Sequence, residues 1–350
     1  MPLCFFGALG WETLTHGSER LRFVVGTLVL VWVLNSFATY WITPSAAQYL
    51  YAAKALATHD QIDRASAEAA RAVQVDPLNA TARGSHALSL SELGDDAEAV
   101  KEAERAIELS PNDSETHLDL AISIKRSNPA RANAEARRAI ELGPENSSAY
   151  QFLMTCLLEE HGFTEGAAVG REWLTVSPYD VAAHSTLAMA VAKNGDLSAA
   201  ARQLGYVMML RPNAEEALTQ LHQNLVSLAK APDGRQRLRD VAMNAPDSPR
   251  MLDELAWLLA TYPDSNSRDG AEAVRLAERA CGLTDRRVPA LLATLAAAYA
   301  ETADFSRAVA AGEEALRKAQ AIGDTDSVKL SENILMAVRA DLPYRHQPEE

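Results

Sequence analysis

Six prolines set the strongest constraint on this chain. Pro77, Pro111, Pro144, Pro178, Pro212 and Pro246 are separated by 34, 33, 34, 34 and 34 residues. A fixed period of this length is the mark of an array, in which each unit packs only on its neighbours. Ahead of each proline runs a second regularity of compact residues, about five, twelve and twenty-four positions earlier. Ala87, Ala99 and Ala106 precede Pro111; Ala53, Ala65 and Ala72 precede Pro77; Ala188, Ala200 and Val207 precede Pro212. Alanine accounts for 64 of the 350 residues. Small side chains at helical spacing let two backbones approach closely, so each unit reads as two antiparallel helices of about three turns.

The punctuation agrees. Gly94-Asp95 and Gly195-Asp196 suit the turn inside a unit, where glycine relieves strain at a helix C-terminus. Each proline ends the second helix. Asn79, Asp113, Asn146 and Asp180 follow the prolines and are suited to cap the next helix. Asn79, Asn112 and Asn146 also begin Asn-x-Ser/Thr sequons, but their repeat-locked position favours turn chemistry.

The units are not identical. The third is one residue short in its inner turn, at Arg126 to Pro129. In the fourth, Gly166 and Trp173 replace alanines and Met154 stands for the first small residue. The sixth is weakest, with His222, Gly234 and Val241 in those places. The seventh carries Leu255-Ala256, Ala273, Ala277 and Ala280, with an insertion within Tyr262 to Gly270. The eighth carries Leu295-Ala296, Tyr299, Phe305, Ala308 and Ala315. Asp326 to Ala340 then reads as a closing helix, with Val328, Leu330, Ile334, Leu335 and Val338 on one face. An array needs such a cap over its last apolar surface.

From Ala46 to about Ala319 this pattern resembles the tetratricopeptide repeat family. Leu255-Ala-Trp257 and the later Leu295 to Tyr299 are similar to the C-terminal units of bacterial members. Some of those are membrane-anchored, and some are fused to polytopic glycosyltransferase-like regions. The resemblance implies an all-α, right-handed superhelical solenoid over residues 46–340, with about eight helix pairs and a capping helix. A polar tail, 341–350, follows. It also implies that first helices line a concave groove for an extended peptide or helix. By register the groove positions are Lys54, Ser91, Glu92, Ile122, Lys125, Arg126, Gln151, Thr155, Met189, Lys193, Thr219, Gln223, Asp253 and Trp257. The Lys/Asn clamp some members use for C-terminal carboxylates is missing. So is the asparagine ladder of the eukaryotic glycosyltransferase superhelix.

No charged residue occurs from Phe23 to Ala53. Residues 23–42 match a transmembrane helix, since about 20 apolar residues span a bilayer core of about 30 Å. Tyr40 and Trp41 lie at one end and Arg20 and Arg22 at the other. This polarity puts segment 1–22 in the cytoplasm and the repeats outside it. Two other readings remain: a signal peptide cleaved near Ser45-Ala46-Ala47, and the last span of a polytopic protein, with Met1 to Leu9 as a remnant.

The net charge of −14 falls on the repeats, because the first 43 residues hold two acids and two bases. That balance argues against nucleic acid, whose phosphates call for clustered Lys and Arg. It also disfavours lying flat on anionic lipid. Cys4, Cys156 and Cys281 have neither metal-ligand nor disulfide spacing. The sequence contains no phosphate loop, dinucleotide fingerprint or His-Glu-x-x-His. Glu160-His161 reads as a solvated pair before a turn glycine. His86, His117, His184 and His222 fall on first helices at spacings of 31, 67 and 38, and are expected not to keep repeat register. The sequence therefore predicts no catalysis, cofactor or metal. It predicts a membrane-anchored scaffold that binds a protein or peptide. The alternatives are the repeat region of a glycosyltransferase-like membrane protein and a secreted periplasmic binding module.

Overall fold

The computed structural model describes residues 44–345, so the expected membrane segment 23–42 and the N-terminal segment 1–22 lie outside the described residues. Among the described residues the chain is all-helical, with 17 α-helices, one short 3-10 turn and no strands. None of these helices is long and apolar enough to cross a membrane. The chain divides into two compact units, one ending at Glu135 and the other beginning at Ala136.

The first unit holds α1 (Ala46–Ala57), α2 (Ile62–Val75), α3 (Ala80–Leu93), α4 (Asp96–Leu109), α5 (Ser114–Ile124) and the start of α6 (Pro129–Leu142). From α1 to α5 successive helices pack in order, and α5 also packs on α3. The alanines of the pattern are its core: Ala65, Ala72, Ala87, Ala99 and Ala106 have no exposed surface. Where methyl groups fill the contact, the backbones themselves are close-packed, and larger side chains would force them apart.

The second unit continues with α7 (Ser147–Glu159), α8 (Phe163–Val176), α9 (Val181–Lys193), α10 (Leu197–Leu210), α11 (Glu215–Ala229), α12 (Gly234–Met243) and α13 (Pro249–Thr261). After the 3-10 turn Ser265–Ser267 come α14 (Gly270–Leu283), α15 (Pro289–Glu301), α16 (Phe305–Ile322) and α17 (Thr325–Val338). One apolar cluster runs from Ala188 to Val338. The closing helix buries Ile334, Leu335 and Val338, while Val328 and Leu330 are only half-buried.

The punctuation forms as the sequence requires, with three corrections. Asn79 accepts from the Ala82 N–H at 3.0 Å, Asn146 from Ala149 at 3.1 Å, and Asp180 from Ala182 and Ala183 at 2.8 and 3.1 Å. Asp113 holds the N-cap position of α5 without a side-chain cap bond; the Thr116 hydroxyl there donates to the carbonyls of Ser110 and Asp113. Gly94 and Gly195 adopt left-handed backbone, φ 85° and 88°. In the fourth unit that conformation falls on His161, φ 61°, and Gly162 becomes the N-cap of α8 instead. In the sixth unit Gly234 and Val241 are buried, but His222 is exposed and Leu221 occupies the core. Its first helix keeps repeat register, since α11 begins at Glu215, 34 residues after α9 begins at Val181, and Leu221 and Leu225 are buried as Leu187 and Val191 are.

The fourth unit's odd residues compensate one another. Trp173 and Met154 are fully enclosed, and Trp173 stacks on Tyr150 at 5.7 Å. Space for Met154 comes from Gly170, where a Cβ would stand 2.7 Å from Met154 Cε and 3.2 Å from Leu187 Cβ. The insertion of the seventh unit is tied down. Ser267 is buried and its hydroxyl donates to the Ala229 carbonyl at 2.6 Å.

Candidate functional site

The groove positions sort into two sets. In the first unit Lys54 on α1 and Glu92 on α3 are exposed and Lys125 at the end of α5 is half-buried. Arg126 is already engaged: it donates to the Ser91 carbonyl at 2.5 Å and pairs with Asp96 at 3.7 Å. That contact ties the end of α5 to the α3–α4 turn.

In the same unit Asp119 on α5 lies against the backbone of α3. A Cβ on Gly84 would stand 1.9 Å from its Oδ2, so only glycine at 84 admits the carboxylate. Burial pushes this carboxyl up to about 7, reinforced by Glu115 and Asp113 and opposed by Lys54.

In the second unit Gln151, Met189, Lys193 and Gln223 are exposed and Trp257 is half-buried. A cleft of about 800 Å³ opens between α9 and α11, lined by Ser185, Thr186, Met189, the Arg211–Ala214 turn, Glu216 and Gln220. Met189 is 49% exposed at its mouth. The structure thus places Met189 in a cavity, while it does not bring Gln151, Lys193, Gln223 or Trp257 into that lining.

Trp257 on α13 has a different neighbour. The Tyr344 ring packs on it at 5.7 Å, tilted by 44°. Next to it Arg345 pairs with Glu301 at 2.7 Å and donates to the Ala260 carbonyl at 3.3 Å. Sequence register found Trp257 but not these tail residues, which are distant in the chain. Also on α13, burial raises the Asp253 carboxyl to about 7, opposed by a hydrogen bond with Thr294. Its Oδ1 has no hydrogen-bond partner.

Two of the histidines behave unexpectedly. His117 and His184 do keep register, each lying six residues after a repeat proline, and each Nε2 sits 3.0 Å from that proline's carbonyl oxygen. The spacing of 67 is two repeats, one of 33 and one of 34. Arg83 repeats the arrangement with Pro77. These side chains fasten inter-unit turns and are not available as ligands. Burial pushes the Cys281 thiol up to about 12, which makes it a poor nucleophile. Among the described residues no group of three or more His, Cys, Asp or Glu is arranged to hold a metal ion.

No family model matches the chain, and no curated protein does. Solved structures do. The chain is similar to a thermophilic tetratricopeptide protein of Thermus thermophilus, at 15% identity over 52% of this chain and 100% of that one, with a TM-score of 0.44. It is similar to PilW, described as a type IV pilus biogenesis factor, at 18% identity over 57% and 93%, TM-score 0.45. It is also similar to a tetratricopeptide protein from Parabacteroides merdae, at 12% identity over 82% and 99%, TM-score 0.42. At these scores the likeness carries no argument by itself, and the helix-pair reading rests on the chain's own period, caps and core.

Proposed function

We propose that this chain is a tetratricopeptide-type repeat protein that binds a protein or peptide through its first helices. The observation that carries the reading is the cleft between α9 and α11, with Met189 half-exposed at its mouth. An exposed thioether beside Thr186, Gln220 and Glu216 offers an adaptable apolar contact rimmed by hydrogen-bonding groups. That is the character of a peptide site. We further propose that residues 23–42 anchor the chain in a membrane, with the repeats outside the cytoplasm. The uncharged apolar stretch and the flanking Arg20 and Arg22 support this.

The test is affinity capture with the full chain from detergent extract of its native membrane, beside a Met189→Glu/Gln220→Lys variant. A discrete partner retained by the native chain and lost by the variant is expected. Equal retention by both would move the contact off this cleft.

A further inference from the structure

The end of α13 is built to receive a cation beside an aromatic ring. The last carbonyls of a helix lack intrahelical partners and carry partial negative charge. Here the Tyr262 and Pro263 carbonyls, just past the helix, accept from Arg268 at 2.9 and 2.8 Å. Glu301 on α15 faces the same spot with its side chain 14% exposed, and its Oε1 is held by Arg268 at 2.9 Å. The Ala260 carbonyl and Glu301 Oε2 remain for a second cation, and Trp257 stands beside them. Arg345 and Tyr344 of the chain's own tail fill these places.

The tail is held lightly. Beyond Leu342, whose N–H donates to the Ala337 carbonyl at 3.1 Å, no backbone–backbone hydrogen bond attaches it among the described residues. Leu342 is 59% exposed. Arg345 lies at ion-pair distance from Glu301 Oε2, yet no aligned hydrogen bond reaches that buried oxygen. The receiving side needs no tail to keep its shape, because Arg268 already braces Glu301 and the loop after α13.

We propose that this place is a docking subsite for a partner segment bearing an aromatic residue followed by arginine, and that Tyr344-Arg345 occupy it in cis until such a segment displaces them. The inference rests on the peptide-binding reading above and names the chemistry of one subsite. Arginine is required over lysine. A planar guanidinium spans the Glu301 carboxylate and the Ala260 carbonyl at once, whereas an ammonium is a single point charge. A tethered tail competes at an effective concentration in the millimolar range, so an external segment gains access through further contacts along the same chain.

The probe is the peptide acetyl-Leu-Pro-Tyr-Arg-amide carrying a fluorophore. Its binding is measured by anisotropy to the full native chain and to the full chain with Tyr344→Ala/Arg345→Ala. The altered chain is expected to bind at least tenfold tighter. Ending the peptide in lysine, or adding Trp257→Ala, is expected to cost at least tenfold. Equal binding to the two chains, or indifference to lysine, overturns the proposal. Should the altered chain fold poorly, the native chain labelled with fluorotyrosine gives a second reading. Millimolar unlabelled peptide should shift the Tyr344 fluorine resonance, and an unmoved resonance counts against displacement. If a partner still crosslinks at Met189 while this peptide fails, the subsite falls and the peptide-binding reading stands.

Discussion

His184 donates from Nε2 to the carbonyl oxygen of Pro178, six residues earlier, at 3.0 Å. A carbonyl only accepts, which fixes the tautomer at that nitrogen. Its Nδ1 lies 2.7 Å from the Gln203 side chain on α10, and the ring stacks on Tyr206 at 4.9 Å. One side chain therefore joins the turn before a unit to that unit's second helix. His117 does the same with Pro111 and Glu135, and Arg83 with Pro77 and Glu102.

Removing such a clasp strands a carbonyl and an amide and loses a ring contact. His184→Ala is expected to destabilise the fold by about 2–3 kcal/mol. His222→Ala should cost under about 0.5 kcal/mol, because its pair with Glu254 is exposed. Urea unfolding of the two variants checks the contrast.

The left-handed turn position predicts opposite signs for two substitutions. Gly94→Ala forces a Cβ into φ 85° and should cost about 1 kcal/mol. His161→Gly relieves φ 61° and should gain about 0.5 kcal/mol, after the loss of its edge contact with Phe163. Thermal melts of both variants read the sign directly.

Gly170 and Met154 form a matched pair. Gly170→Val should overpack the second unit by about 1–3 kcal/mol. Adding Met154→Ala to Gly170→Val should recover part of that loss, so the double-mutant cycle shows coupling and not additivity.

Asp119 and Asp253 set a pH dependence. Each carboxyl titrates near 7 in the fold against an ordinary value of 3.8. A raised folded value means that their contribution is fully present below about pH 4 and is lost as pH rises through about 7. A shift of this size is worth at most about 4 kcal/mol, and water entry lowers it. Asp119→Asn should therefore stabilise the protein by about 1–3 kcal/mol at pH 8 and by little at pH 4. Denaturant midpoints at the two pH values decide it.

Much of the architecture was legible because it is local. Pro77 to Pro246, the buried alanines, Gly94 and the Asn79 and Asp180 caps act within a few residues of themselves, and sequence spacing reports them. What was hidden depends on contacts across the fold. The register of His117 with His184 was obscured by the unit that is one residue short. The exposure of His222, where Ala188 of the preceding repeat is buried, is decided by packing that no single position announces. At the candidate site, Met189 and Trp257 could be placed by helical register. Arg345 reaches the Ala260 carbonyl across 85 residues, and no periodicity marks such a contact.

The central claim is that the first-helix face is where a protein or peptide binds. Site-specific photocrosslinking in the native cell tests it most directly. A photoreactive phenylalanine replaces Met189, in the cleft, or Met243, which is 68% exposed at the end of second helix α12. The account predicts a discrete crosslinked adduct from position 189 and none from 243. An adduct from 243 alone, or none from either, would contradict it.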